Sequence, residues 1–175
     1  MFYSNIDKCS IAEMPGCCVT LFVSGCLPNK CKEGNCPGCH NEAAQKFYKG
    51  TYYTEETEQE ILEACSKSYI SGLCLCGGEP FDQSGNYLIN LAYEFKKSFP
   101  EKKLWCYTGY KWEQIKNKAL TAYLDAAIVG PFILAQRDIS DANRWRGSRN
   151  QRVIDVQKSL ELNDIIFLEG IPNNT

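Results

Sequence analysis

Cysteines at positions 26, 31, 36 and 39, separated by four, four and two residues, form the densest group of chemically capable side chains in the sequence. Thiols spaced this closely join as disulfides, bind zinc or hold an iron–sulfur cluster. Pro28, Gly34, Pro37 and Gly38 lie among them and keep the stretch out of regular structure. A second candidate is Gly77-Gly78-Glu79-Pro80, a glycine-rich turn that carries a carboxylate.

The elements that must position these residues follow from periodicity. Thr20, Phe22 and Ser24 alternate with Val19, Leu21 and Val23, and both sets are largely apolar or β-branched. This predicts a strand buried on both faces, stopped by Gly25 and delivering Cys26 at its end. Residues 1–17 suggest only a lead-in strand or extended arm. Thr54 is a candidate N-cap for a helix over about 54–67, with Glu55 and Glu56 in its first turn and Ile61, Leu62 and Cys65 on one face. A second strand over 71–76 opens into Gly77-Gly78-Glu79-Pro80. Ser84 is placed to cap a helix bearing Leu88, Leu91, Ala92, Phe95 and Phe99, which Pro100 ends. Strands over 103–107, 124–129 and 152–156 follow, with a short helix over 112–118. Strands alternating with helices imply an α/β fold with a parallel sheet. In such a sheet ligands gather at the carboxyl ends of the strands. Cys26, the turn at 77–80, Thr108-Gly109-Tyr110 and Gly130-Pro131-Phe132 would then share one rim.

Composition narrows the function classes. The chain is long enough for one well-buried core, and 44% hydrophobic with 23% charged residues is ordinary for a globular domain. Residues 1–175 read as one domain, with a cysteine loop over 25–41 and an unexplained tail over 157–175. A net charge of −2 with scattered Lys and Arg leaves no footprint for nucleic acid. The apolar run from Cys17 to Leu27 lacks a basic segment before it, and no run reaches membrane-spanning length. A cytoplasmic protein without membrane contact is expected. Eleven cysteines in that setting argue for reduced thiols. Cys9, Cys17, Cys18, Cys65, Cys74, Cys76 and Cys106 are expected to pack as small apolar side chains.

A cysteine loop after the first strand and Gly-Gly-Glu-Pro after the second resemble the radical S-adenosylmethionine (SAM) enzymes. Further segments narrow the resemblance: Leu21-Phe22-Val23-Ser24-Gly25-Cys26, Cys36-Pro37-Gly38-Cys39-His40-Asn41, Tyr107-Thr108-Gly109-Tyr110, Gly130-Pro131-Phe132, and Arg144-Trp145-Arg146-Gly147-Ser148 with Asn150-Gln151-Arg152. Together they are similar to the activating proteins of anaerobic (class III) ribonucleoside-triphosphate reductase. The resemblance implies a small partial (βα) barrel of mostly parallel strands. It implies a [4Fe–4S] cluster held by three thiolates, with the fourth iron open for SAM. One-electron cleavage of SAM would then install a glycyl radical on the reductase large subunit, with the electron supplied by a low-potential donor.

By the same resemblance Cys26, Cys36 and Cys39 are the metal ligands, and Gly77, Gly78, Glu79 and Pro80 engage SAM. His40 and Tyr107 are further candidates for the SAM pocket. No residue of the chain is assigned to the chemistry beyond holding these groups. The family spacing is Cys-x3-Cys-x2-Cys, and here the first interval is expanded and contains Cys31, so Cys31 stays open as the alternative first ligand. Val129 stands where the family commonly has an acidic residue. Trp145 and Arg146 are candidates for contact with the partner, because these residue types dominate interface hot spots. Two other functions remain open: activation of a different glycyl-radical enzyme such as a formate lyase, and a zinc-binding adaptor using Cys31, Cys36, Cys39 and either Cys26 or His40.

Overall fold

The computed structural model describes residues 1–27, 36–39 and 41–171. The two-sided apolar run becomes a strand, β2 (Cys17–Ser24), buried along nearly its whole length. It lies inside a seven-stranded sheet made with β1 (Phe2–Ser10), β3 (Thr51–Tyr52), β4 (Ile70–Gly77), β5 (Lys103–Tyr107), β6 (Ala126–Val129) and β7 (Arg152–Asp155), ordered β3-β1-β2-β4-β5-β6-β7.

Strands β2, β4, β5 and β6 are mutually parallel, as the alternation of strands and helices predicts. The outer pairs are antiparallel. Chain length explains the first exception, because residues 11–16 are too few for the crossover that a parallel partner of β2 would need. Between β6 and β7 the chain makes only short 3-10 turns, and β7 returns antiparallel. Among the described residues the sheet keeps two edges, β3 and β7, so the hydrogen-bonded strands form an open sheet with a parallel middle.

One face of the sheet carries the helices. In α1 (Glu55–Cys65) Thr54 and Thr57 form a reciprocal cap, and Glu55, Glu56 and Glu58 sit in the first turn where the helix dipole favours them. At the other end Lys102 Nζ donates to Cys65 O at 2.6 Å and Lys67 O at 2.8 Å, satisfying carbonyls the helix leaves open. In α2 (Tyr87–Ser98) Leu88, Leu91, Ala92 and Phe95 make the buried stripe. This helix starts later than expected: Asn86 occupies the cap position, and Gly85 just before it has a φ of +75° that no helix accepts. The helix expected over 112–118 ends early, as α3 (Trp112–Ile115), and a 3-10 turn, Ala119–Tyr123, follows it.

Val19, Leu21, Val23, Leu73, Leu75 and Leu104 meet these helices in the larger core. The opposite face presents Cys18, Cys74, Trp105, Ala126 and Ile128, and is covered by Met14, Ile171 and the ring of Trp145 rather than by helices. The tail over 157–171 therefore has a place. It forms α4 (Val156–Leu162), turns at Asn163 in the left-handed conformation, and pairs Phe167 with Ile154. No helix of the described residues is long and apolar enough to cross a membrane.

Phe95 is fully buried, so Phe95→Ala is expected to cost about 3–5 kcal/mol in urea unfolding. Asn90→Ala, on the exposed side of the same helix, is expected to stay within about 0.5 kcal/mol of the parent.

Candidate functional site

The loops that leave the parallel strands are joined to one another by backbone hydrogen bonds. Gly78 N donates to Val23 O at 2.7 Å and Glu79 N to Gly25 O at 2.8 Å, linking the end of β4 to the end of β2. Gly25 N and Cys26 N donate in turn to Ala44 O and Gln45 O. Thr108 N donates to Ile128 O at 2.9 Å and Gly130 N to Tyr110 O at 2.8 Å, linking the ends of β5 and β6. The rim expected from the sequence is thus physically continuous.

Gly78 shows why this stretch must be glycine. A Cβ on it would lie 2.7–2.8 Å from Gly25 O, Ala44 O and Gly25 N, all backbone atoms that cannot yield. Gly77 is needed for a second reason, a φ of +100°. Pro80 is buried and starts a short 3-10 turn, Pro80–Asp82.

Glu79 is 2% exposed, and a buried carboxylate needs donors. Its Oε1 accepts from Thr108 Oγ1 at 2.7 Å and Phe81 N at 3.2 Å, and its Oε2 accepts from Gly109 N at 2.8 Å. The side chain therefore ties the loop of β4 to the loop of β5. Asp82 performs a similar task between other loops, accepting from Leu27 N at 2.7 Å and from the Tyr110 hydroxyl. Gln83 Nε2 donates to Gly25 O and Glu79 O. Thr108 belongs to a rim segment expected from the sequence, whereas Asp82 and Gln83 carry no such signal. Their partners are up to 58 positions away, and no local pattern marks them.

Cys26, Cys36 and Cys39 are half-buried. Cys39 N donates to Cys36 O at 3.2 Å, which closes a turn, and Asn41 N points at Cys39 Sγ at 3.4 Å. An amide N–H directed at sulfur suits a thiolate ligand. Among the described residues no three Cys, His, Asp or Glu side chains converge closely enough to hold an ion. Cys31 and His40 lie outside the described residues.

Four other thiols are sealed in the interior. Burial pushes Cys18 up to about 11 and Cys65 up to about 12, and carries Cys74 and Cys106 well above the ordinary thiol range. A thiol that resists ionising is a poor metal ligand. Cys9 and Cys17 depart from the expected apolar packing: they are joined as a disulfide across the β1–β2 connection. The Tyr107 hydroxyl donates to Glu13 O at 2.9 Å, on the face of the sheet with Cys18 and Cys74.

Arg146 departs from the expectation of a docking surface, whereas Trp145, expected there too, is half-buried. The Trp145 ring packs edge-on to Trp105 at 5.7 Å, with the Arg144 guanidinium 4.9 Å above it. Arg146 is 5% exposed and its Nη2 donates to Ala142 O at 2.7 Å. Val129 faces the helix-side core. Beside it a cleft of about 470 Å³ is lined by Trp112, Pro131, Ile154 and Phe167, with Lys111 and Arg152. It includes none of the expected site residues among those described.

Comparison with known proteins adds independent findings. A family model described as a 4Fe-4S single cluster domain matches residues 12–154. The chain is 39% identical over 154 residues to the anaerobic ribonucleoside-triphosphate reductase-activating protein of Enterobacteria phage T4, covering 87% of this chain and 93% of that protein. Proteins of the same name from Vibrio cholerae and Escherichia coli K12 are 33% and 30% identical over 156 and 159 residues. Those alignments cover 86% and 87% of this chain, and 96% and 97% of the two relatives.

Thr108→Val removes one donor to Glu79 and is expected to cost about 1–3 kcal/mol. Glu79→Gln should cost at least as much, since its amide N–H must face either Gly109 N–H or Phe81 N–H. A parental urea midpoint for Glu79→Gln would show that the carboxylate does not carry these bonds.

Proposed function

This chain belongs to the anaerobic ribonucleoside-triphosphate reductase-activating proteins and carries a 4Fe-4S single cluster domain, and from that premise we propose that it is a radical SAM activase for such a reductase. The observation that carries the proposal is the junction of two loops: the one leaving β2 with Cys26, and the glycine turn at 77–80, which is hydrogen-bonded directly onto it. A zinc adaptor would have no use for that second loop.

When bound, a [4Fe–4S] cluster with SAM on its open iron supplies a one-electron reduction that breaks the S–C5′ bond and ends with a hydrogen atom moved from a reductase glycine to the 5′ carbon. The electron comes from a low-potential donor. Cys26, Cys36 and Cys39 would hold the cluster, and a set of three thiolates leaves one iron for SAM. The donor set fits on two counts: the three cysteines are half-buried where most other thiols are sealed, and Cys39 receives an N–H bond from Asn41.

Gly77 and Gly78 present bare backbone at the rim, where the amino group of SAM is proposed to sit. Glu79 gives that loop its shape through Thr108 and Gly109 and adds negative charge beside a cationic ligand. Pro80 stiffens the turn. His40 and Tyr107 are proposed as neighbours of the nucleoside, with Tyr107 held by its bond to Glu13.

Reconstitution with iron and sulfide under anaerobic conditions tests the reading. The protein is expected to turn brown, to release methionine and 5′-deoxyadenosine from SAM when reduced, and to give a glycyl radical signal on the reductase. Cys36→Ala and Cys39→Ala should each abolish the chromophore, as should Cys26→Ala, whereas Cys31→Ala should keep it. A colourless protein that takes up zinc alone would overturn the proposal, and loss of the cluster in Cys31→Ala but not Cys26→Ala would overturn the choice of first ligand.

A further inference from the structure

Three polar side chains late in the chain each reach a different residue of the loop that leaves β6. Gln151 Nε2 donates to Gly130 O at 3.0 Å, Asn150 Nδ2 donates to Pro131 O at 2.8 Å, and Ser148 Oγ accepts from Ile133 N at 3.2 Å. The three are also bound to one another's segment. Ser148 Oγ donates to Asn150 Oδ1 at 2.7 Å, and Gln151 Oε1 accepts from Gly147 N and Ser148 N. Ser148 is fully buried and Gln151 is 8% exposed, so these bonds are shielded from competing water.

The next residue of the braced loop, Leu134, turns its side chain onto the cysteine turn. Its Cδ1 and Cδ2 lie 3.0 and 3.2 Å from where a Cβ on Gly38 would be. Gly38 stands between Cys36 and Cys39, and with a φ of +69° it is glycine for conformation as well as for space. A turn of this length has little of its own to hold it, so an anchored side chain pressed against its centre is a strong constraint on where it stands.

We infer that the segment 148–151 is a positioning element for the cysteine turn, acting through residues 130–133 and Leu134. The inference rests on the proposed cluster only where the loaded protein is measured. Ser148, Asn150 and Gln151 touch no ligand in this account. They fix the height and angle at which Cys36 and Cys39 are presented, from the β6 side of the same rim.

The experiment begins with iron-free, reduced protein, in which the alkylation rates of individual cysteines by iodoacetamide are followed by peptide mass spectrometry. Leu134 is 49% exposed, so Leu134→Ala leaves the core intact. It is expected to raise the rates at Cys36 and Cys39 several-fold while the buried Cys65 and Cys106 stay at their parental rates. Gln151→Ala should act in the same direction. The double variant should fall short of the product of the two effects, since both act through one contact. Leu134→Met should restore most of the protection. In iron-loaded protein the same variants should lose iron faster to a chelator.

Parental rates at Cys36 and Cys39 in Leu134→Ala would overturn the inference. So would independent, multiplying effects of the two substitutions, or a rise at Cys65 that matches the rise at Cys36 in Gln151→Ala, which would mark a general loss of fold. If the alkylation pattern changes as expected and the protein takes up no iron, the positioning role stands and the cluster proposal falls.

Discussion

One close approach of two backbones governs the rest of the rim. Gly78 lies against Gly25 and Ala44 at a distance that excludes even a methyl group, and the N–H groups of Gly78 and Glu79 donate to Val23 and Gly25 across that contact. The approach is possible because β2 and β4 are parallel neighbours in register, with Val23 opposite Gly77. Both strands therefore end at the same height, and their loops start side by side. The Glu79 carboxylate then extends the junction to the loop of β5, and backbone bonds extend it to β6. Loops at the end of a sheet are ordinarily its least stable parts. Here each is fastened to the next.

The two faces of the sheet divide the labour. Helices seal one face with a continuous apolar core, and that core underlies the polar rim. The other face is closed piecemeal by Met14, Trp145 and Ile171. This arrangement separates the thiols by burial. Cys18, Cys65, Cys74 and Cys106 are buried where ionisation is opposed, and Cys26, Cys36 and Cys39, the proposed ligands, are half-buried.

The elements were legible where periodicity and punctuation agree. The buried character of β2, the bounds of β5 and the Thr54 cap follow from residue pattern alone, and so does the convergence of four loops at the strand ends. Strand direction at the edges was not legible from alternation. It depends on how long each connection is, and the short β1–β2 link and the helix-free β6–β7 link return their strands antiparallel. Residue type misled at Arg146, since the guanidinium that makes a good interface anchor also bonds to the backbone inside. Cys9 and Cys17 could be paired only once the β1–β2 connection brought their Cα atoms to 5.6 Å. At the candidate site the glycines were visible as a motif. The partners of Glu79 and Gln151 were not, because each bond spans a long stretch of chain.

The proposed cluster has three protein ligands and leaves one iron for SAM. Mössbauer spectroscopy of protein reconstituted with isotopically enriched iron, recorded with and without SAM, reads that arrangement directly. The expected result is a [4Fe–4S] spectrum in which adding SAM changes a single iron site and leaves the others in place. A spectrum that SAM does not alter, or one without a four-iron cluster, would contradict it.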